Sequence, residues 1–240
     1  MSISKTTTAS VEKPHQTMEE KMNTLRAGVL GSNDGILTVV GVLFSVAAAT
    51  TNNFTIFIAG LADLLACAFS MAAGEYASVS SQSDTEKAAV AIEQQRLIHD
   101  KEGQIQEVQA FYESKGVTPE TSLAIAKDLM SKKPLATIVN VKYDLELGHY
   151  MNPWAAAFAS LFSAAFGGVF PLFAMIILPE AYKMTGTIIA VTVAVSITAY
   201  ISAKLGDGKV KVSIIRNILI GLVTMAIHYG IGQLFLTLNN

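Results

Sequence analysis

Three stretches of this sequence contain no Asp, Glu, Lys or Arg: Pro153 to Leu178, Met184 to Ala203, and Asn217 to Leu238. Each is close to the twenty or so residues that a helix needs to cross the hydrocarbon core of a bilayer. Two earlier segments, Ala27 to Thr50 and Phe54 to about Ser80, are equally apolar but hold three acids, Asp34, Asp63 and Glu75, and no base. With 51% hydrophobic and 15% charged residues over 240 positions, the chain is too apolar for an ordinary soluble domain of its length. The fold class that follows is all-α: a polytopic membrane protein with five transmembrane helices and a cytosolic three-helix insert between the second and third spans. The expected division is a cytosolic N-terminal segment over residues 1–26, transmembrane helices one and two over 27–80, the insert over 81–151, and transmembrane helices three to five over 152–240.

Orientation follows from the bases, because cytoplasmic loops are enriched in Lys and Arg. Lys5, Lys13, Lys21 and Arg26 precede the first span, Lys204, Lys209, Lys211 and Arg216 surround the fourth loop, and the insert holds eight more. The opposite side is nearly free of them. This places the N-terminus and the insert in the cytosol and the C-terminus outside. The first two dozen residues are polar, with no apolar run ahead of a cleavage site, so no signal peptide is read there, and a bacterial plasma membrane is the favoured location. A single cysteine, Cys67, excludes an intrachain disulfide.

The insert keeps a helical period between recognisable stops. Ile105, Val108, Phe111 and Tyr112 mark one helical face. A second helix is expected from a Thr118 cap with Pro119 in its first turn, ending at Lys132-Lys133-Pro134, and a third runs from Leu135 toward Gly148. Eleven acids against eight bases leave the insert mildly acidic. The chain contains no phosphate-binding glycine loop, no HExxH and no paired cysteines. Neither a resident cofactor nor a nucleic-acid partner is expected; the partners are divalent metal ions and the lipid bilayer. No internal repeat relates the spans, which argues against an inverted-repeat transporter.

A charge at membrane depth costs at least about 2.5 to 3.5 kcal/mol on insertion scales and is kept only where something offsets it. Asp63, Cys67, Met71 and Glu75 recur every four residues, so they form one slanting stripe of about 18 Å along the second span. Asp34 and Met71 both lie about 12 to 14 Å from the cytoplasmic end of their spans. Two antiparallel helices joined by a four-residue turn must pack together, and Asp34 and Met71 can then face one site, with Glu75 at its cytoplasmic mouth and Asp63 toward the far exit. Carboxylates without bases suit a cation, and a thioether beside them favours a first-row divalent ion such as iron(II) or manganese(II). Empty carboxylates also take up protons, which permits exchange of protons for metal.

Plainer readings stand beside these. Asp34 can cap a kink among Gly28, Gly31 and Gly35; Met71 alone reads as apolar filling; Cys67 reads as an inert small hydrophobe; Glu75 lies near enough to the interface to be solvated. His228 in the fifth span reads as hydrogen-bonded to a neighbouring helix. The Gly31-xxx-Gly35 pair reads as a close helix contact. The acids of the insert read as a solvated face.

The segment from Leu25 to Gly35, Leu-Arg-Ala-Gly-Val-Leu-Gly-Ser-Asn-Asp-Gly, is followed by Phe69-Ser70-Met71-Ala72-Ala73-Gly74-Glu75-Tyr76 and Ser78-Val79-Ser80-Ser81-Gln82. These paired motifs resemble the vacuolar iron transporter family, including its bacterial members, and the resemblance extends from Leu25 to the fifth span. It implies a five-helix homodimer that moves iron(II), and in some relatives manganese(II), out of the cytosol in exchange for protons. Asp34, Asp63 and Met71 would line the path. The insert resembles that family's cytosolic metal-binding domain, whose glutamates fall on Glu93, Glu107 and Glu146, with Glu102 and Glu113 as nearby acids. The pattern departs from the family at Arg96 and Gln104, where further glutamates are expected, and at Ala27, where some relatives carry a second acid. A base and an amide in place of two carboxylates thin the capture site.

The expectation is thus a proton-coupled divalent metal exporter, not an enzyme. An alternative is a metal-sensing or channel-like membrane protein in which the insert gates rather than collects. An intramembrane aspartate enzyme is disfavoured, since no second acid shares the first span with Asp34 to form a dyad.

Overall fold

The computed structural model describes residues 18–148 and 150–238; Lys5 and Lys13, and residues 1–17 of the expected N-terminal segment, lie outside them, as does the Lys21 side chain. The described residues form eight α-helices: α1 Met18–Ala49, α2 Asn53–His99, α3 Lys101–Ser114, α4 Pro119–Lys132, α5 Pro134–Tyr143, α6 Pro153–Ile177, α7 Lys183–Leu205 and α8 Val210–Leu238. A single 3-10 turn, Glu180–Tyr182, precedes α7. No strand occurs among the described residues. Five helices, α1, α2, α6, α7 and α8, are long and apolar enough to cross a membrane.

Local chemistry sets the ends of the spans. Asn52 caps α2 by accepting from the Phe54 and Thr55 amides at 3.0 and 3.1 Å. Asn152 does the same for α6 through Trp154 and Ala155, with Pro153 in the first turn, where its missing N–H costs nothing. At the same end as Asn52, the buried Lys183 ammonium donates to Asn53 Oδ1 and to Glu180 Oε2, tying the start of α7 to the start of α2.

The second span does not stop where its apolar stretch stops. The boundary expected at residues 80–81 falls inside α2, a single helix of 47 residues and about 70 Å. Ser80-Ser81-Gln82-Ser83-Asp84 is polar but holds no Gly or Pro, so nothing breaks the helix. Its inward face continues as Val79, Ser83, Glu86, Val90, Glu93 and Leu97, spaced alternately four and three residues. Polarity marks where the helix leaves the apolar layer; the period shows that it keeps going. The break comes at Asp100, which caps α3 by accepting from the Gly103 amide at 2.9 Å.

Beyond that turn, α3, α4 and α5 close over the distal half of α2 around Ile105, Val108, Ala126, Met130, Ile138 and Val139. Thr118 precedes α4, as its sequence suggests, and Pro119 opens the helix, but the Thr118 hydroxyl pairs with Thr121 Oγ1 at 3.0 Å instead of capping a backbone amide. The third helix is shorter than its periodicity suggests, because Asp144 turns into the left-handed region at φ 55°. Gly148, at φ 89°, lies in a separate turn four residues on.

In the apolar bundle α1 is central and touches α2, α6, α7 and α8. Its core face, Ile36, Val39, Val40, Leu43 and Phe44, is buried against Leu64, Leu172, Met175, Val191 and Met225. The contact with α6 is backbone to backbone: a Cβ at Gly35 would overlap the Ala164 carbonyl, and one at Gly167 the Ser32 carbonyl. The reading of Gly31 and Gly35 as a close helix contact therefore holds, with α6 as the partner. Outward, α6 exposes Trp154, Phe158, Phe162, Phe166 and Phe170, one per turn, several of them ring to ring. Such a continuous apolar exterior suits a lipid surround.

Candidate functional site

Five of the polar side chains inside the bundle lie close together. Asp34, midway along α1, is half-buried, and its Oδ2 accepts a hydrogen bond from Cys67 Sγ of α2 at 3.5 Å. One turn further along α1, Thr38 Oγ1 donates to the Asp34 carbonyl at 3.0 Å. Thr38, Asp34 and His228 all lie near enough to the Asp63 carboxylate to interact with it. Asp63 Oδ2 is buried with no hydrogen-bond donor. A buried carboxylate oxygen without a donor calls for a cation or a proton.

His228 reaches this region from α8. Its Nδ1 stands 2.9 Å from the Thr224 carbonyl of its own helix, so the expected bond to a neighbouring helix is not made by the ring. The link between helices is instead the His228 backbone carbonyl, which accepts from Ser45 Oγ of α1 at 2.9 Å. With a carbonyl facing Nδ1, that nitrogen carries a proton and donates it. Nε2 faces α1 at Gly41, where a Cβ would stand only 2.9 Å from it. Gly41 thus makes room for the imidazole.

Met71 is half-buried one turn from Cys67 and packs with Cys67, Ala68 and Ala164. Cys67 donates to Asp34 through its thiol and belongs to the same packed cluster as Met71, so it is more than an inert hydrophobe. Glu75 is buried, not solvated; its side chain is 9% exposed and its Oε2 has no hydrogen-bond donor. Arg26 Nη2, 3.7 Å away, supplies a counter-charge from the first turns of α1. Among the described residues, no three His, Cys, Asp or Glu side chains converge as a ready metal cage.

The insert holds a different constellation. The Glu93 carboxylate, 1% exposed, accepts from Lys142 Nζ and Gln104 Nε2 at 2.7 Å each, from Tyr143 OH at 2.9 Å and from Arg96 Nη1 at 3.1 Å. Glu107 accepts from Arg96 Nη2 at 2.6 Å and lies 3.2 Å from Lys142 Nζ. Two carboxylates and two cations form a closed network across α2, α3 and α5. Burial disfavours the ionised form of Glu93, but hydrogen bonds from Lys142 and Tyr143 outweigh it and hold the carboxyl below its usual range. The Arg96 hydrogen bond does the same for Glu107. Glu102, Glu113 and Glu146 are exposed; Glu102 sits in the first turn of α3, Glu113 accepts from Gln109, and Glu146 lies in the loop after α5.

Sequence reasoning missed Thr38 and misjudged Cys67 and His228. Thr38 stands four residues after Asp34 and Cys67 four after Asp63, so the helical period alone marks both as sharing a face with an acid.

An integral membrane protein is defined by this arrangement: a five-span bundle whose central helix carries an acid against a second acid, a thiol and an imidazole from two neighbours. Residues 25–233 match the VIT family, and the chain belongs to it. The chain is similar to a "Vacuolar iron transporter" of Acanthamoeba castellanii, 34% identical over 216 residues, covering 90% of this chain and 80% of that protein. It is also similar to "Vacuolar iron transporter homolog 1" of Oryza sativa subsp. japonica, 31% identical over 211 residues, 88% of this chain and 73% of the relative. A third relative, "Vacuolar iron transporter homolog 4" of Arabidopsis thaliana, is 29% identical over 211 residues, 88% of this chain and 83% of its own length.

Proposed function

We propose that this protein is a proton-coupled transporter that exports iron(II), manganese(II) or both from the cytosol. The observation that carries the reading is the buried, donorless Oδ2 of Asp63 beside Asp34 and the Cys67 thiol. The names of the relatives supply the iron. In this account a metal ion passes Glu75 at the cytoplasmic mouth, is held by Asp34 and Met71, and leaves past Asp63; protons replace it on the vacated carboxylates. Hard oxygen and soft sulfur donors together suit a borderline divalent ion. A site short of a full ligand cage suits a carrier, because an ion held by a closed cage leaves slowly.

The chain functions as a homodimer in this proposal. On the face of α2 turned away from the bundle, Ala62, Ala66, Ser70 and Ala73 are exposed small residues of the kind that let transmembrane helices approach closely. The membrane is taken to be a bacterial plasma membrane, with the N-terminus and insert cytosolic.

The insert collects metal in this reading, but through a thinned surface. A metal reaching Glu93 or Glu107 must displace the Lys142 and Arg96 cations, which leaves Glu102, Glu113 and Glu146 as the exposed acids. A second reading, in which the insert gates, is favoured by the unbroken course of α2 from Asp63 to Glu93. Radiolabelled iron(II) and manganese(II) flux into proteoliposomes, with the native chain and Asp63→Asn, tests the transport reading. Flux in the native chain that the variant lacks supports it; equal flux in both removes Asp63 from the path.

A further inference from the structure

Two recesses outside the acid cluster share a wall, and they differ in chemistry. The first, of about 570 Å3, is a groove between α1, α6 and α7 with an almost wholly apolar lining that includes Gly28, Val29, Ile36, Phe166, Phe170 and Ile197. It runs from Thr24 to Ile36 on α1, about 18 Å at the helical rise, which is the reach of most of one lipid acyl chain. The second, of about 350 Å3, opens between α1, α7 and α8 and contains Arg26, Arg216, Asn33, Asn217 and Ser202. Leu25, Val29 and Thr198 line both. An apolar slot therefore leads, at the basic end of the bundle, into a polar recess with two guanidinium groups.

Charge decides what fits. Arg216 has neither ion pair nor hydrogen bond among the described residues. Arg26 bonds Asn23 Oδ1 at 3.0 Å and stands 3.7 Å from Glu75, yet keeps 62% of its side chain exposed, so donors remain. Asn33 Oδ1, buried in the same recess without a partner, is an acceptor and suits a headgroup hydroxyl rather than the phosphate itself. The loop closing that end carries Lys204, Lys209 and Lys211 against a single acid, Asp207. Basic recesses between transmembrane helices at the cytoplasmic surface suit anionic headgroups. Arginine forks match phosphate oxygens in pairs.

The geometry points to a binding site for an anionic phospholipid, with one acyl chain in the α1–α6–α7 groove and its phosphate between Arg26 and Arg216. The site meets the acid path only where Arg26 faces Glu75, and it is filled from the bilayer that the five spans imply. Gly28 faces the groove with open space where a side chain would go, so Gly28→Leu fills the slot without a backbone clash.

The test is native mass spectrometry of the full chain in detergent, incubated with dioleoyl phosphatidylglycerol, with dioleoyl phosphatidylcholine, or with inorganic phosphate. The site predicts retained phosphatidylglycerol well above phosphatidylcholine and no phosphate adduct. Arg216→Gln lowers phosphatidylglycerol retention about fivefold, the effect of one arginine on anionic lipid, and leaves phosphatidylcholine unchanged. Gly28→Leu lowers retention of both lipids. Equal retention of the two lipids, or retention untouched by either variant, reduces the groove to ordinary annular lipid and overturns the proposal. A dimer that forms equally without lipid and is lost on Gly28→Leu assigns the groove to a second copy and overturns it as well.

Discussion

Cys67 Sγ lies 3.5 Å from Asp34 Oδ2, joining the first and second spans inside the apolar bundle. The thiol acts on that carboxylate as a donor. Cys67→Ser keeps a donor and is expected to keep transport near the native rate. Cys67→Ala removes it and shifts the apparent metal KM about fivefold, the equivalent of about 1 kcal/mol for one hydrogen bond. Flux measured against metal concentration checks this; identical KM values for the two variants contradict it.

Gly35 sets the distance between α1 and α6. Because its Cβ would overlap the Ala164 carbonyl, Gly35→Ala forces two backbones apart and is expected to cost at least the upper part of the 1–3 kcal/mol typical of overfilled cores. Thermal unfolding in detergent reads this as a lowered midpoint. Gly74, around which a Cβ meets nothing within 4 Å, serves as the control, and Gly74→Ala does not lower the midpoint, since alanine favours a helix interior more than glycine does.

The Glu93 network predicts opposite results for its two charge types. Glu93→Gln leaves Lys142 and Arg96 short of a partner and costs about 3 kcal/mol, since both cations are partly exposed and the loss lies at the low end for broken buried pairs. Hydrogen exchange of α3–α5 rises accordingly. Arg96→Gln combined with Lys142→Gln frees the two carboxylates instead, and the full chain gains manganese(II) binding measurable by equilibrium dialysis.

The same network sets a pH window. Glu93 and Glu107 titrate below their usual range in the folded chain, so their stabilisation is complete above the unfolded carboxyl value of about 4.3 and is lost as pH falls through the lower folded values. Burial lowers the basicity of Lys142, but hydrogen bonds from it to Glu93 and Glu107 prevail and raise it. Its contribution is therefore complete below about pH 10.4 and fades as pH rises through the higher folded value. Protease resistance of the insert should stay flat from pH 5 to 10 and fall on either side.

Much of this was legible in the residues, and the misses have physical causes. Charge-free runs reveal spans because a bilayer excludes charge, and five such helices are present. The Pro119 start was readable because proline fixes its own place in a helix, whereas Pro134, read as the end of the preceding helix, in fact opens α5. The course of α2 past Ser81 was not, because a change of solvent was read as a change of structure. Cys67 and His228 were underrated for another reason: a lone thiol or imidazole acquires meaning only from its neighbour on another helix, and rotation angles are not written in one helix's sequence. Arg96 and Gln104 stood out as departures, but only the fold shows that both turn onto Glu93.

The central claim is that Asp34 belongs to a path where metal and protons exchange. The direct measurement is simultaneous metal flux and internal pH in proteoliposomes containing the native chain or Asp34→Asn. The account predicts metal movement accompanied by opposite proton movement, both abolished in the variant while its thermal unfolding is unchanged. Metal binding without coupled flux in the native chain, or flux undiminished in Asp34→Asn, would contradict it.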